Sequence, residues 1–216
     1  MTDWTGFVRA NTVVLAPPLV PEIRLHLASA VTPLWQASEA FLERTGLPPP
    51  YWAFAWPGGQ ALARHVLDRH EIVHGRSVLD FAAGSAIAGI AAAYAGAAQV
   101  SAAEIDPAAR AAIALNAALN GVAIEILAED LTASQTRAAD LILAGDVCYE
   151  RGMAERVTEW LTRQAALGAT VLLADPGRAY RPHRSLAEVA RYRVATSRDL
   201  EDSEEREAVV WKMTDL

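Results

Sequence analysis

Cysteine is almost missing from this 216-residue chain. Cys148 stands alone, which excludes an internal disulfide and fits a reducing compartment. No apolar run approaches the roughly 20 residues that cross a bilayer, so a soluble chain with no membrane partner is expected. The opening MTDWTGFVRANTVVLAPP has neither a basic start nor a long apolar core, and no secretory signal is expected. Positive charge is scarce as well: 19 Lys and Arg stand against 26 Asp and Glu, a formal net charge of −7. With no basic patch and no aromatic–basic interleaving, nucleic acid is a poor partner. A basic protein or a cationic side chain, drawn in by electrostatic steering, suits the charge better. The histidines at 26, 65, 70, 74 and 183 form no metal-ligand constellation, so no metal is expected.

What is present is a large apolar share, 52% of residues, enough to bury a full core. The spacing predicts helix over 21–46 with an interruption at Pro33, closed by the prolines at 48–50. Residues 1–50 therefore read as an N-terminal helical extension and 51–216 as the main domain. An aromatic loop and a helix over 59–69 follow. From Arg76 onward apolar strands (77–81, 99–105, 123–128, 140–145, 170–175) alternate with helices (86–96, 107–120, 151–166). Such alternation, with strands apolar throughout, predicts an α/β fold: a Rossmann-like, mostly parallel sheet with helices on both faces. Residues 185–200 read as a helix running into a strand and 205–216 as a final strand, adding a C-terminal antiparallel hairpin. The acidic segment 199–207 reads either as a solvated hairpin turn or as a contact for a basic acceptor.

In an open parallel sheet, ligands bind beyond the carboxyl ends of the strands where strand order reverses. The turn after the first such strand, in VLDFAAGSA, is built of small residues that let backbone N–H groups approach a ligand. Asp80 sits two residues before Ala82, with Gly84 and Ala86 following. A carboxylate there repels a pyrophosphate and favours a ligand with positive charge, such as S-adenosylmethionine with its ammonium and sulfonium. Glu104, roughly two dozen residues on, suits the ribose hydroxyls. Asp106 before Pro107 reads as a helix cap. Glu129 or Asp130, after the third strand, is placed for an adenine amino group or else is a solvated loop acid. After the fourth strand, Asp146 and Tyr149 either flank a reacting amine, orienting it and leading its proton away, or serve as ordinary helix-start residues.

These residues together resemble the class I (seven-β-strand) S-adenosylmethionine-dependent methyltransferases. More narrowly, the chain resembles the lysine methyltransferases of the electron transfer flavoprotein β subunit. The resemblance is carried by PEIRL (21–25), PYWAFAWPGGQALARHVLD (50–68), VLDFAAGSA (78–86), IDP (105–107), GDVCYE (145–150) and DPGR (175–178). It implies S-adenosyl-L-methionine as cofactor, with Trp56, Gly59, Asp80, Ala82, Gly84, Glu104, Ile105, Asp130 and Asp146 around it. It implies Asp146 and Tyr149 as catalytic residues at a lysine channel, and Asp175 and Arg178 at the acceptor rim, with a structural ion-pair partner as the other reading of Arg178. The implied partner is the flavoprotein β subunit, with a ribosomal protein as the other acceptor.

Two departures stand out. The family loop is normally glycine at the positions of Ala82 and Ala86, so the extra methyl groups are expected to narrow the approach to the cofactor. Eukaryotic members carry a mitochondrial targeting segment that this sequence lacks, which points to a bacterial, cytoplasmic enzyme. The chain has one lysine, Lys212. Genomic base composition accounts for that, and a lysine-modifying enzyme sparing itself is the sharper reading. Two other functions are weighed: a cofactor-binding module without catalysis, suggested by the two loop alanines, and a nicotinamide dehydrogenase, against which Asp80 and the incomplete glycine pattern speak.

Overall fold

The computed structural model describes residues 2–29, 34, 49–196 and 203–214. At its centre is a seven-stranded sheet formed by β3 (Ser77–Phe81), β4 (Gln99–Ala103), β5 (Glu125–Leu127), β6 (Leu141–Gly145), β7 (Thr170–Asp175), β8 (Leu186–Ala195) and β9 (Glu205–Met213). The order is β5-β4-β3-β6-β7-β9-β8. Pairing is parallel from β5 to β7, and β9 runs antiparallel to both β7 and β8. The chain moves outward one way from β3 to β5 and then returns to build β6 and β7 on the other side. The crevice between the ends of β3 and β6 is therefore the topological switch point.

Successive residues of the central strands enter opposite cores, as the pleat requires. Val78, Leu141, Leu143 and Leu172 pack with Leu62, Val66, Ile90 and Ala91 of helices α2 (Pro57–Asp68) and α3 (Ile87–Tyr94). Leu79, Ile142, Val171 and Leu173 pack instead with Val157, Trp160 and Leu161 of α5 (Arg151–Ala166). There Phe81 stacks on Trp160 with ring centroids 4.6 Å apart. Helix α4 (Pro107–Leu119), capped by Asp106 and started by Pro107, carries Ile113 onto the turn after β3.

Upstream, α1 (Trp4–Asn11) is capped by Asp3, whose carboxylate accepts from Gly6 N. A short antiparallel hairpin of β1 (Val13–Leu15) and β2 (Leu25–Leu27) follows. Val8 of α1 is fully buried among Trp52, Ala53, Ala108, Ala109 and Ala112. Asn116 of α4, also fully buried, accepts from His26 N at 2.8 Å and donates to Ser85 O at 2.9 Å, joining the hairpin to the turn after β3.

The mostly parallel sheet, the flanking helices and the C-terminal hairpin are as the sequence predicts. Two elements differ. Residues 25–27 are a strand rather than part of a helix, held by β1 and the Asn116 side chain; 30–33 and 35–48, where the rest of that helix is expected, lie outside the described residues. Residues 186–195 are a strand throughout, although their Ala, Glu and Arg content favours helix. Pairing along β9 overrides local propensity, with Arg191 bridging Glu188 and Glu207 on the exposed face. Among the described residues no helix is long and apolar enough to cross a membrane.

Candidate active site

The register puts Phe81, Ala103 and Ala144 side by side at the ends of β3, β4 and β6, and Gly145 beside Ala174 of β7. The residues immediately beyond, Ala82, Glu104 and Asp146, thus emerge along one edge. A cavity of about 640 Å³ opens there, lined by the turn after β3, the ends of β4, β5 and β6, the first turns of α5 and the aromatic segment 49–59. That volume falls in the range of about 300–1,000 Å³ usual for small-molecule sites.

The turn after β3 alternates left-handed residues: Ala82, Gly84 and Ala86 have φ of 52°, 54° and 60°. Glu104 faces this turn. Its Oε2 accepts from Gly84 N at 3.0 Å and its Oε1 from Asp106 N at 3.0 Å. Burial raises its carboxyl above the usual range against the pull of those two donors. A carboxylate has about four acceptor positions, so two bonds leave room for a ligand's hydroxyls. Next to it, Ile105 is 66% exposed within the cavity wall, an apolar face offered to a ligand. Asp130 lines the same end and caps the short turn Leu131–Ala133 through Thr132 N and Oγ1, which hold its carboxyl below the usual range.

Asp80 is placed differently. It is 4% exposed and turned beneath the turn, where its Oδ2 accepts from Gly89 N in the first turn of α3 at 2.7 Å. It does not line the cavity. Burial pushes its carboxyl up to about 7. Of the two loop alanines, Ala82 lines the cavity, whereas the Ala86 methyl is buried with Ala83, Ala102 and Ile113.

At the opposite end the WPGG turn packs on the β6 terminus. Pro57 at the first helical position fixes the start of α2. A side chain on Gly58 would come within 2.6 Å of both Ala174 O and Asp146 Oδ2, so the chains meet only because it has none. This contact lets Gly59 N donate to Asp146 Oδ2 at 2.8 Å. Asp146 itself holds φ 56°, a left-handed conformation, and lines the cavity, with its Oδ1 buried on the side of the Arg178 guanidinium. Above it, rings gather at the mouth: Tyr51 and Tyr149 at 5.1 Å, Tyr51 and Trp56 at 6.2 Å, Phe54 and Trp56 at 5.8 Å between centroids. Partial burial pushes the Tyr149 phenol up to about 12.

Arg178 closes the wall. Its guanidinium lies 3.9 Å from Asp146 Oδ1 and 5.9 Å from the Trp56 ring centroid. Asp175, expected beside it at the rim, is 1% exposed and sits one layer below. There its Oδ1 accepts from Gly177 N at 2.7 Å and Arg178 N at 2.6 Å, fixing the turn that presents Arg178. Of the sequence-derived residues the cavity thus gathers Trp56, Gly59, Ala82, Gly84, Glu104, Ile105, Asp130, Asp146, Tyr149 and Arg178. Tyr51 and Phe54 were missed. The signal was the run of rings around the WPGG turn, of which only Trp56 was singled out.

A Rossmann-like sheet of this order, with a carboxylate after β4 and an aromatic, acidic mouth after β6, defines a class I methyltransferase. A profile of the ribosomal protein L11 methyltransferase (PrmA) family matches residues 61–176. The chain is 37% identical to the electron transfer flavoprotein beta subunit lysine methyltransferase of Danio rerio, covering 97% of this chain and 83% of that protein. It is 38% identical to that of Xenopus laevis, covering 95% and 85%. The fold superposes on a T. thermophilus 16S rRNA N2 G1207 methyltransferase bound to AdoMet and guanosine with TM-score 0.59 and 16% identity, covering 95% of this chain and 50% of the other. The chain belongs to the electron transfer flavoprotein beta subunit lysine methyltransferase family.

Proposed function

We propose that this chain transfers methyl groups from S-adenosyl-L-methionine to lysine side chains of the electron transfer flavoprotein β subunit. The observation that carries the reading is the joining of two half-sites in one cavity: a carboxylate and apolar wall for a nucleoside, and a carboxylate ringed by aromatic side chains for a cation. The donor set fits the cofactor. Glu104 would hold the ribose hydroxyls, Ile105 would cover one face of the adenine, and Asp130 would accept from the exocyclic amine. Ala82 and Gly84 bring backbone to the methionine end, and Asp80 holds that turn onto α3 from below. When bound, the cofactor supplies an electrophilic methyl group on a sulfonium.

The protein's part is positioning. Tyr51, Trp56 and Tyr149 give a lysine ammonium ring faces on the way in, each such contact worth about 0.5–2 kcal/mol. Asp146 accepts a hydrogen bond from the arriving nitrogen and aims its lone pair. Tyr149, with its phenol pushed up to about 12, keeps its proton at neutral pH and acts as a hydrogen-bonding wall rather than a base. The amine sheds its proton to water at the mouth. In domain terms, residues 1–50 would be an N-terminal extension to the catalytic domain of residues 51–216.

Labelled S-adenosylmethionine with purified protein, given the flavoprotein β subunit and ribosomal protein L11 as separate acceptors, tests the reading. Label on lysine of the β subunit is expected. Asp146→Asn keeps the left-handed backbone and an acceptor for Gly59 N, so cofactor binding should persist while transfer falls by roughly 100-fold or more. Label on L11 alone would replace the substrate; no label on either, despite cofactor binding, would leave a binding module.

A further inference from the structure

Methyl transfer needs a neutral amine, yet the cavity is rich in groups that favour an ammonium. Asp146 lies at its floor and Glu150 at the start of α5, while Glu104 and Asp106 follow β4, and Glu129 and Asp130 follow β5. Asp175 is buried beneath the β7 end. Tyr51 and Tyr149 supply ring faces that attract a cation. None of these is placed to remove a proton at neutral pH, since carboxylates are weak bases and the Tyr149 phenol is a weak acid. Opposing them are two lining cations among the described residues, Arg156 and Arg178. Arg156 acts on Asp130, at the nucleoside end. Arg178 stands beside Asp146, and both it and Arg181 act on Asp175.

We propose that the Arg178 guanidinium is a fixed cation that keeps the acceptor amine unprotonated over Asp146. The inference rests on the methyltransferase reading and assigns Arg178 a task within it. Three features support it. The guanidinium is held at a definite place: the Asp175 carboxylate fixes its backbone, Asp146 Oδ1 lies 3.9 Å from Nη2, and the Trp56 ring lies beneath. It shares the carboxylate beside which the lysine nitrogen would be held in this reading, so the two positive centres become neighbours. Arginine also stays charged at every working pH, which a histidine in that place would not ensure. With Arg178 beside it, Asp146 is a partly neutralised acceptor. It can take one hydrogen bond from an amine without stabilising the ammonium in full, and the displaced proton leaves to solvent on water.

The test is the pH dependence of kcat for transfer to purified flavoprotein β subunit at saturating cofactor, for wild type, Arg178→Gln and Arg178→Lys. The ascending limb of kcat reports ionisation in the bound complex. Arg178→Gln should move that limb up by roughly one pH unit, so that turnover on the limb falls about tenfold and recovers at high pH. KM on the same limb should stay level or fall, because the ammonium is then held better. Arg178→Lys, which restores the charge, should return the limb most of the way. A loss in Arg178→Gln that is uniform across pH would mark a merely structural residue and overturn the proposal. So would a rise in KM with the limb unmoved, the signature of a rim contact to the acceptor protein. Absence of transfer by wild type would overturn the enzyme reading itself, and this inference with it.

Discussion

Two alanine methyl groups distinguish this cofactor loop, and the structure separates them. Ala82 and Ala86 both hold positive φ, which costs an L-residue about 1–2 kcal/mol. Replacing either by glycine removes that strain but frees the unfolded chain, returning about 0.4–1 kcal/mol. Ala82→Gly should therefore be stabilising by about 0.5–1 kcal/mol, a rise of roughly 1–4 °C in Tm. Because Ala82 lines the cavity, the same change should tighten S-adenosylmethionine binding. Ala86→Gly also removes a methyl that is fully buried in the core, worth about 0.8 kcal/mol, so its net effect on Tm should be near zero and affinity should not change. Calorimetric titration of the two variants decides the matter: equal gains in affinity would mean that backbone strain, and not the methyl in the cavity, limits binding. Ala82 lines the cavity while the Ala86 methyl is buried with Ala83, Ala102 and Ile113, so the two methyls should differ in their effect on the approach to the cofactor.

At the scale of elements, the ends of strands carry the site, and their parity decides which side chains reach it. Asp80 follows Val78 by two residues and so shares its face, the one covered by α3. Helix α3 is preceded at its cap position by Ala86, which offers no side-chain cap, and the Asp80 carboxylate takes one of its first-turn N–H groups from below. Burial, with the nearby Glu104 carboxylate adding to it, raises this acid to about 7 in the folded chain, above its unfolded value near 4. Between those two values the folded state binds more protons than the unfolded one, so stability falls as pH rises from about 4 through 7. Asp80→Asn keeps an acceptor for Gly89 N and removes the titration; its Tm should decline less between pH 5 and 8 than that of wild type. Parallel declines would show that Asp80 does not carry the effect. The parallel strands and their helices were legible in the sequence because continuous apolar runs and local periodicity specify them. Strand β8 was not, because its pairing with β9 is set by residues far along the chain. Glu104 and Asp146 were legible as acids just past strand ends. That Asp80 and Asp175 turn inward was not, since nothing local says which face each helix covers.

Across the whole molecule, α1 lines no part of the cavity yet packs against a turn that does. The cavity-lining Trp52 sits in the short turn Tyr51–Ala53, which is packed against α4 and α1 and tied to the hairpin by Ala28 N donating to Ala53 O at 2.8 Å. Val8 is the fully buried contact from α1 into that cluster. Tyr51 and Trp56 are joined in turn, the indole Nε1 donating to Tyr51 O at 2.7 Å, so a displacement of this turn moves the aromatic mouth. Val8→Ala removes two buried methyl groups and should lower stability by about 2 kcal/mol, a fall of roughly 4–8 °C in Tm for a chain of this size. If the extension braces the site, the loss should also appear at temperatures where the variant is fully folded, as a several-fold weaker binding of S-adenosylmethionine. Thr12→Val provides the contrast. It disturbs the side-chain bonds of Thr12 to the Val8 carbonyl and the His26 ring while leaving the Val8 side chain in place against the Trp52 cluster, and it should lower Tm while leaving affinity unchanged. Weaker binding in both variants would mean that general loosening, rather than the path from Val8 through Trp52 to the mouth, sets cofactor affinity.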